Sequence, residues 1–257
     1  MTQTVRVRNS RVVIGLVALT LIALATAAVF QTRRSRGNEY HAQGQAYLQR
    51  GEYQKAIDVY NQAIALGANL AVAYANRGYA YDSLGDYPRA IADYAKALEL
   101  DPESAMVYNN LGFARYRTED YAGAIEDYSK AIELDPGYAV AYSNRGAAYT
   151  EQGAFTQAVQ DFDKAIELDP TLVDAYGNRG RAHDNLGQLD AAIQDYSKAI
   201  ELDPSLVMPY YNRAFLYLKG GQKEQAIADF QAVIKYSSPD DVLAFIAKTQ
   251  LEALGVQ

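Results

Sequence analysis

An asparagine returns at 34-residue intervals along this chain, as Asn76, Asn110, Asn144, Asn178 and Asn212. A carboxamide offers donors and an acceptor together, so a regular row of them can hold an extended backbone whatever side chains that backbone carries. The same row can equally bond one helix to the next. A second set keeps the same step: Arg77, Arg145, Arg179 and Arg213 each stand 16 residues before Asp93, Asp161, Asp195 and Asp229. That pattern predicts ion pairs between neighbouring helices, structural in role. Before Asp127 the arginine is missing and Leu111 takes its place.

Residues for bond-making chemistry are absent from any recognisable arrangement. The two histidines, His41 and His183, lie far apart, and there is no cysteine to serve as a thiolate ligand or nucleophile. No His-Glu-x-x-His, Gly-x-Ser-x-Gly or Gly-x-x-x-x-Gly-Lys occurs. Gly220-Gly221-Gln222-Lys223 reads as a turn, and Asp161-Phe162-Asp163 lacks the glycine and distal glutamate of a calcium loop. We expect no enzyme, no cofactor, no metal and no small-molecule substrate.

The elements that carry these rows share their period. Units begin at Gly37, Ala71, Ala105, Ala139, Val173 and Val207. Counting each first residue as offset 1, offset 4 is Tyr throughout, offset 20 is Ala throughout, and offset 8 is Gly in the first five units with Ala214 in the sixth. Offset 24 is Tyr60, Tyr94, Tyr128, Phe162, Tyr196 and Phe230. Glycine inside a helix costs about 1 kcal/mol relative to alanine, so its return predicts a facing helix packed too close for a larger side chain. Offsets 4, 8 and 11 share one helical face, as do 20, 24 and 27. Each unit therefore reads as two amphipathic helices, and Asp-Pro at 101–102, 135–136, 169–170 and 203–204 ends the second. A further helix over about 240–254, N-capped by Ser238 with Pro239 at its first position, is expected to cap the last unit through Val242, Phe245 and Ile246.

This register closely resembles the tetratricopeptide repeat family over about four-fifths of the chain, with Tyr where that family often has Trp. The resemblance implies an all-α, right-handed α-solenoid of six helix–turn–helix units (37–70, 71–104, 105–138, 139–172, 173–206 and 207–240) with a C-terminal capping helix over 241–257. It also implies a protein-binding scaffold whose concave face, lined by the first helices, captures peptides or partner segments. On this register that face carries the Asn row with Tyr79, Phe113, Tyr116, Tyr211 and Phe215, and the cations Arg117, Arg181 and Lys219. Rigid aromatics and Arg are typical interface anchors. The family's carboxylate clamp for chaperone tails is not reproduced, because His41 and Gln45 occupy its Lys and Asn places. The alternatives are a self-associating structural component and an import-receptor-like, cytoplasm-facing platform.

After residue 36 the chain has 18 basic and 31 acidic residues, a net −13, which repels phosphate backbones and argues against nucleic acid. The first 36 residues hold six Arg and no acid. Between a basic tail (1–11) and a basic linker (31–36), Val12 to Phe30 is free of charge. At about 1.5 Å per residue it just spans a ~30 Å hydrocarbon core. We expect a single-pass membrane anchor there, with the repeats on the extracytoplasmic (periplasmic) side. Ala23-Leu24-Ala25 and Ala25-Thr26-Ala27 keep a cleaved signal peptide as the rival. The near-ideal repeats point, by resemblance, to a bacterial source.

Overall fold

The computed structural model describes the backbone of residues 2–67, 69–238 and 240–256, and their side chains except those of 2–18, 20 and 34. Among the described residues there are thirteen α-helices and no strand. They fall into two compact units, Met1–Glu103 and Ser104–Gln257. The first holds α1 (Thr2–Gln49), α2 (Tyr53–Ala65), α3 (Leu70–Ser83) and α4 (Tyr87–Leu100). The second holds α5 (Ala105–Arg117), α6 (Tyr121–Leu134), α7 (Ala139–Glu151), α8 (Phe155–Leu168), α9 (Val173–Asn185), α10 (Leu189–Leu202), α11 (Val207–Lys219), α12 (Lys223–Tyr236) and α13 (Val242–Ala253). Within each unit, every helix packs on the one before and the one after it.

The small-to-large register explains that packing. A methyl group on Gly112, Gly146 or Gly180 would come within 2.8, 2.9 and 2.9 Å of the rings of Tyr128, Phe162 and Tyr196. In the first unit Gly44 and Gly78 face Tyr60 and Tyr94 in the same way. These rings are fully buried. The second helix of each inner repeat stops at its Asp-Pro, where Asp101, Asp135, Asp169 and Asp203 turn extended. Proline disfavours the helical region for the residue before it. Each of these carboxylates then accepts a turn amide, from Glu103, Gly137, Thr171 and Ser205.

The turn inside each repeat needs a left-handed residue. Gly51, Gly85, Gly153, Gly187 and Gly221 supply it, but the third repeat uses Glu119 at φ 64°. A side chain in that region is strained where glycine is not, so Glu119→Gly is expected to raise stability by about 1 kcal/mol. Urea unfolding checks this, and an unchanged or lower midpoint would show the turn is not strained.

Both ends differ from expectation. The first helix of repeat one is the tail of α1, which runs unbroken from Thr2 through the basic stretch 31–36. No helix among the described residues is long and apolar enough to cross a membrane. Of the stretch 12–30, residues 12–18 and 20 lie outside the described side chains. At the other end the capping helix starts at Val242, with Asp241, not Ser238, as its N-cap, accepting from the Leu243 amide at 2.8 Å. Pro239 lies outside the described residues. The face of α13 turned to α12 and the core is Ala244, Ala247 and Leu251, with Leu243 and Leu254 beside it. Val242 and Phe245 are 69% and 71% exposed, so they do not cover the last repeat. Phe245 is one residue from Ala244 on the helix, about 100° around the axis and off that face.

Candidate functional site

In the second unit the Asn row stands on α5, α7, α9 and α11. One member of it, Asn144, is engaged between helices. Asn144 donates through Nδ2 to Asn109 Oδ1 at 3.0 Å, and Asn109 donates in turn to Asn110 Oδ1 at 3.5 Å. Asn212 stands against the Tyr196 hydroxyl, whose pKa is raised chiefly by burial. In the first unit Asn76 stands against the Tyr60 hydroxyl, which burial pushes up to about 12. Asn144 thus joins two helices, Asn110 is bonded within its own, and Asn178 and Asn212 line open space. A cavity of ≈ 590 Å³ is lined by Asn178 and Asn212 together with Tyr116, Glu151, Arg181 and an apolar wall that includes Met208 and Pro209.

Three repeats meet at the rim of this cavity. Arg181 on α9 donates through Nη2 to Glu151 Oε1 at 2.7 Å, and the Tyr116 hydroxyl on α5 reaches the same carboxylate at 3.5 Å. The remaining expected groove residues are not gathered there. Phe113 lies under the Arg117 guanidinium, 5.8 Å from ring centre to cation. Tyr211 packs edge-on against Phe215 at 5.0 Å, and Phe215 packs on buried Phe230 at 5.3 Å, so this pair is partly spent on the core of the last repeat. Lys219 points to Asp184 at 3.9 Å. Tyr79, in the first unit, is 44% exposed and lies edge-on to Tyr53 at 6.4 Å.

The arginine–aspartate row forms as the spacing predicts. Arg77, Arg145, Arg179 and Arg213 each bind their aspartate through two nitrogens, at 2.6–2.9 Å. Each guanidinium reaches a third helix as well: Asn61, Ser129, Asp163 and Ser197 accept its remaining nitrogen. Sequence reasoning missed these third partners, although all four are polar and stand at the same offset, 25. Each arginine also lies over its own offset-4 tyrosine, at 5.4–5.9 Å. His183 takes the place of the offset-11 tyrosine, with Nε2 3.8 Å from Asp195, and serves packing. Asp127, which lacks this arginine, is met by Arg115 Nη1 at 2.9 Å, but its Oδ2 gains no aligned hydrogen bond. Burial pushes its pKa up to about 7, with the Arg115 charge opposing. Among the described residues no cluster of three or more His, Cys, Asp or Glu is placed to hold a metal ion.

Comparison with known proteins agrees with this architecture. Family models described as tetratricopeptide or TPR repeat match residues 44–85, 78–119, 115–153, 139–172, 173–206 and 196–228. No curated protein matches the chain. Among solved structures, MamA is 28% identical, over 62% of this chain and 93% of its own, with a TM-score of 0.58. YrrB, a TPR protein with an unusual peptide-binding site, is 27% identical over 70% of this chain and 92% of its own, with a TM-score of 0.57. PilF of Pseudomonas aeruginosa is 19% identical over 85% of this chain and 99% of its own, and its TM-score of 0.73 speaks to fold alone.

Proposed function

This chain belongs to the tetratricopeptide repeat family, and we propose that it works as a protein-binding adaptor that captures extended segments of other proteins. The observation that carries this reading is the open cavity between the first helices of the second unit, where Asn178 and Asn212 present carboxamides beside Arg181 and Tyr116. Carboxamides can pair with a backbone of any sequence, while Arg and Tyr add selectivity. YrrB, with its peptide-binding site, lends the reading support by similarity. Stacked hairpins are preformed, so a segment docking there orders itself without also ordering the scaffold.

The test is the double substitution Asn178→Ala with Asn212→Ala in the full chain, both of which line the cavity. A bound peptide should weaken about tenfold, or about 1.4 kcal/mol, in the range of one or two lost hydrogen bonds, while far-UV circular dichroism is unchanged. Undiminished affinity would reject the carboxamide row as the binding element.

Tethering to a membrane through residues 12–30 is part of the proposal. It is supported by the uncharged run between arginines and by the exposure of Leu19, Leu21, Ile22, Leu24, Val29 and Phe30. The repeats then lie on the extracytoplasmic face. Protease added to sealed cells should degrade them, and protection until lysis would reverse that orientation.

A further inference from the structure

Gly177 breaks the logic of the other helical glycines in the repeat. Gly146 and Gly180 each face an aromatic ring at 2.9 Å, whereas a methyl group on Gly177 would touch nothing within 4 Å. It sits inside α9, where glycine is less favourable than alanine. No packing neighbour requires that cost. What its missing side chain does is keep the cavity wall open, since Gly177 lines the ≈ 590 Å³ space. That volume falls within the roughly 300–1,000 Å³ of pockets that enclose a ligand.

The lining divides into two chemistries. Val173, Leu206, Val207, Met208, Pro209 and Leu243 form an apolar wall. Three carboxylates and one cation also line it: Glu151, Asp174, Asp241 and Arg181. Glu151 is neutralised by Arg181 at 2.7 Å. Asp241 spends one oxygen on the Leu243 amide but meets no cation in an ion pair among the described residues, and neither does Asp174. On α9, Asp174, Gly177 and Arg181 follow at helical spacing, so one face of the helix offers charge, then space, then a compensated pair. The pocket is therefore apolar within and carries net negative charge at its rim.

We infer that this cavity is a specificity pocket for an apolar side chain flanked by lysine or arginine in an extended protein segment. The inference rests on the segment-capture reading above and names which segments are chosen. Rim carboxylates select the basic flank, and the wall around Met208 and Pro209 receives the apolar residue.

The probes are fluorescein-labelled Gly/Ser decapeptides with a central Lys-Leu-Lys, Glu-Leu-Glu or Lys-Ser-Lys, titrated by anisotropy against the full chain. Lys-Leu-Lys should bind at least tenfold tighter than either control. Gly177→Leu should fill the pocket and weaken Lys-Leu-Lys at least tenfold, with an unfolding temperature equal to or above the parent's. If that variant does not fold, Asp174→Lys on the exposed rim carries the test, and must weaken Lys-Leu-Lys and strengthen Glu-Leu-Glu. Equal binding of all three peptides, or Lys-Leu-Lys binding undiminished by these substitutions, overturns the pocket. If those peptides still weaken in the Asn178→Ala, Asn212→Ala variant, the capture reading stands without it. No binding of Lys-Leu-Lys also overturns the pocket, and leaves segment capture to be decided with peptides of other sequence.

Discussion

Arg145→Leu should destabilise the protein by about 3–5 kcal/mol, the range found when one member of a buried ion pair is removed. Asp161 is 6% exposed and receives two guanidinium nitrogens at 2.7 Å. The same guanidinium binds Ser129 Oγ at 3.0 Å and lies over Tyr142 and Tyr149. Without it a carboxylate is left in the core with no cation, and α8 loses its polar link to α7. The cost belongs to the orphaned charge more than to the pair, so adding Asp161→Leu to Arg145→Leu should recover most of the loss. Urea unfolding of the two single variants and the double variant checks this. Additive losses, with the double variant the worst, would show that the pair itself supplies the stability.

The third repeat holds a buried aspartate that lacks this arginine and, among the described residues, is met only by Arg115, at 2.9 Å. Asp127 is 7% exposed, Leu111 stands in place of its arginine, and its pKa is pushed up to about 7, mainly by burial. Its ordinary value is 3.8. The unfolded chain therefore loses this proton near pH 4 while the folded chain keeps it until about pH 7. Stability from this group is fully present below pH 4, falls as pH rises from 4 to 7, and levels off above. At about 1.4 kcal/mol per pKa unit the full decline is on the order of 4 kcal/mol. Asp127→Asn should remove the decline and make the protein more stable than the parent at pH 8 by a few kcal/mol, with little difference at pH 4. A parent whose stability does not fall between pH 4 and 8, or an asparagine variant no more stable at pH 8, would show that Arg115 keeps the carboxylate ionised at no cost.

These two residues also mark what the sequence could and could not disclose. Arg145 and Asp161 were legible as a pair because the repeat makes a spacing of 16 recur, and recurrence turns a distant contact into a visible pattern. Gly146 facing Phe162 was legible for the same reason, since a small residue and a ring kept a fixed separation in unit after unit. The exceptions were hidden because each occurs once. Arg115 reaches Asp127 from offset 11, a tyrosine place in every repeat but this one and the fifth, where His183 stands 3.8 Å from Asp195. Asp241 displaced Ser238 as the cap of α13, and with it the covering face moved from Val242 and Phe245 to Ala244 and Ala247. In the candidate site, the Asn row could be read as a row, but not its division between helix-bonding members such as Asn144 and the cavity-lining Asn178. Gly177 stands outside the recurring glycine position, and its role follows only from the space beside it.

The account turns on whether segments dock between the first helices of the second unit. The most direct measurement is photo-crosslinking of the full chain to a bound peptide carrying a benzophenone, with the adducts mapped by mass spectrometry. The account predicts adducts on α7, α9 and α11, clustered around Asn178, Arg181 and Met208. Adducts confined to α8, α10 and α12, or spread over the surface without preference, would contradict it.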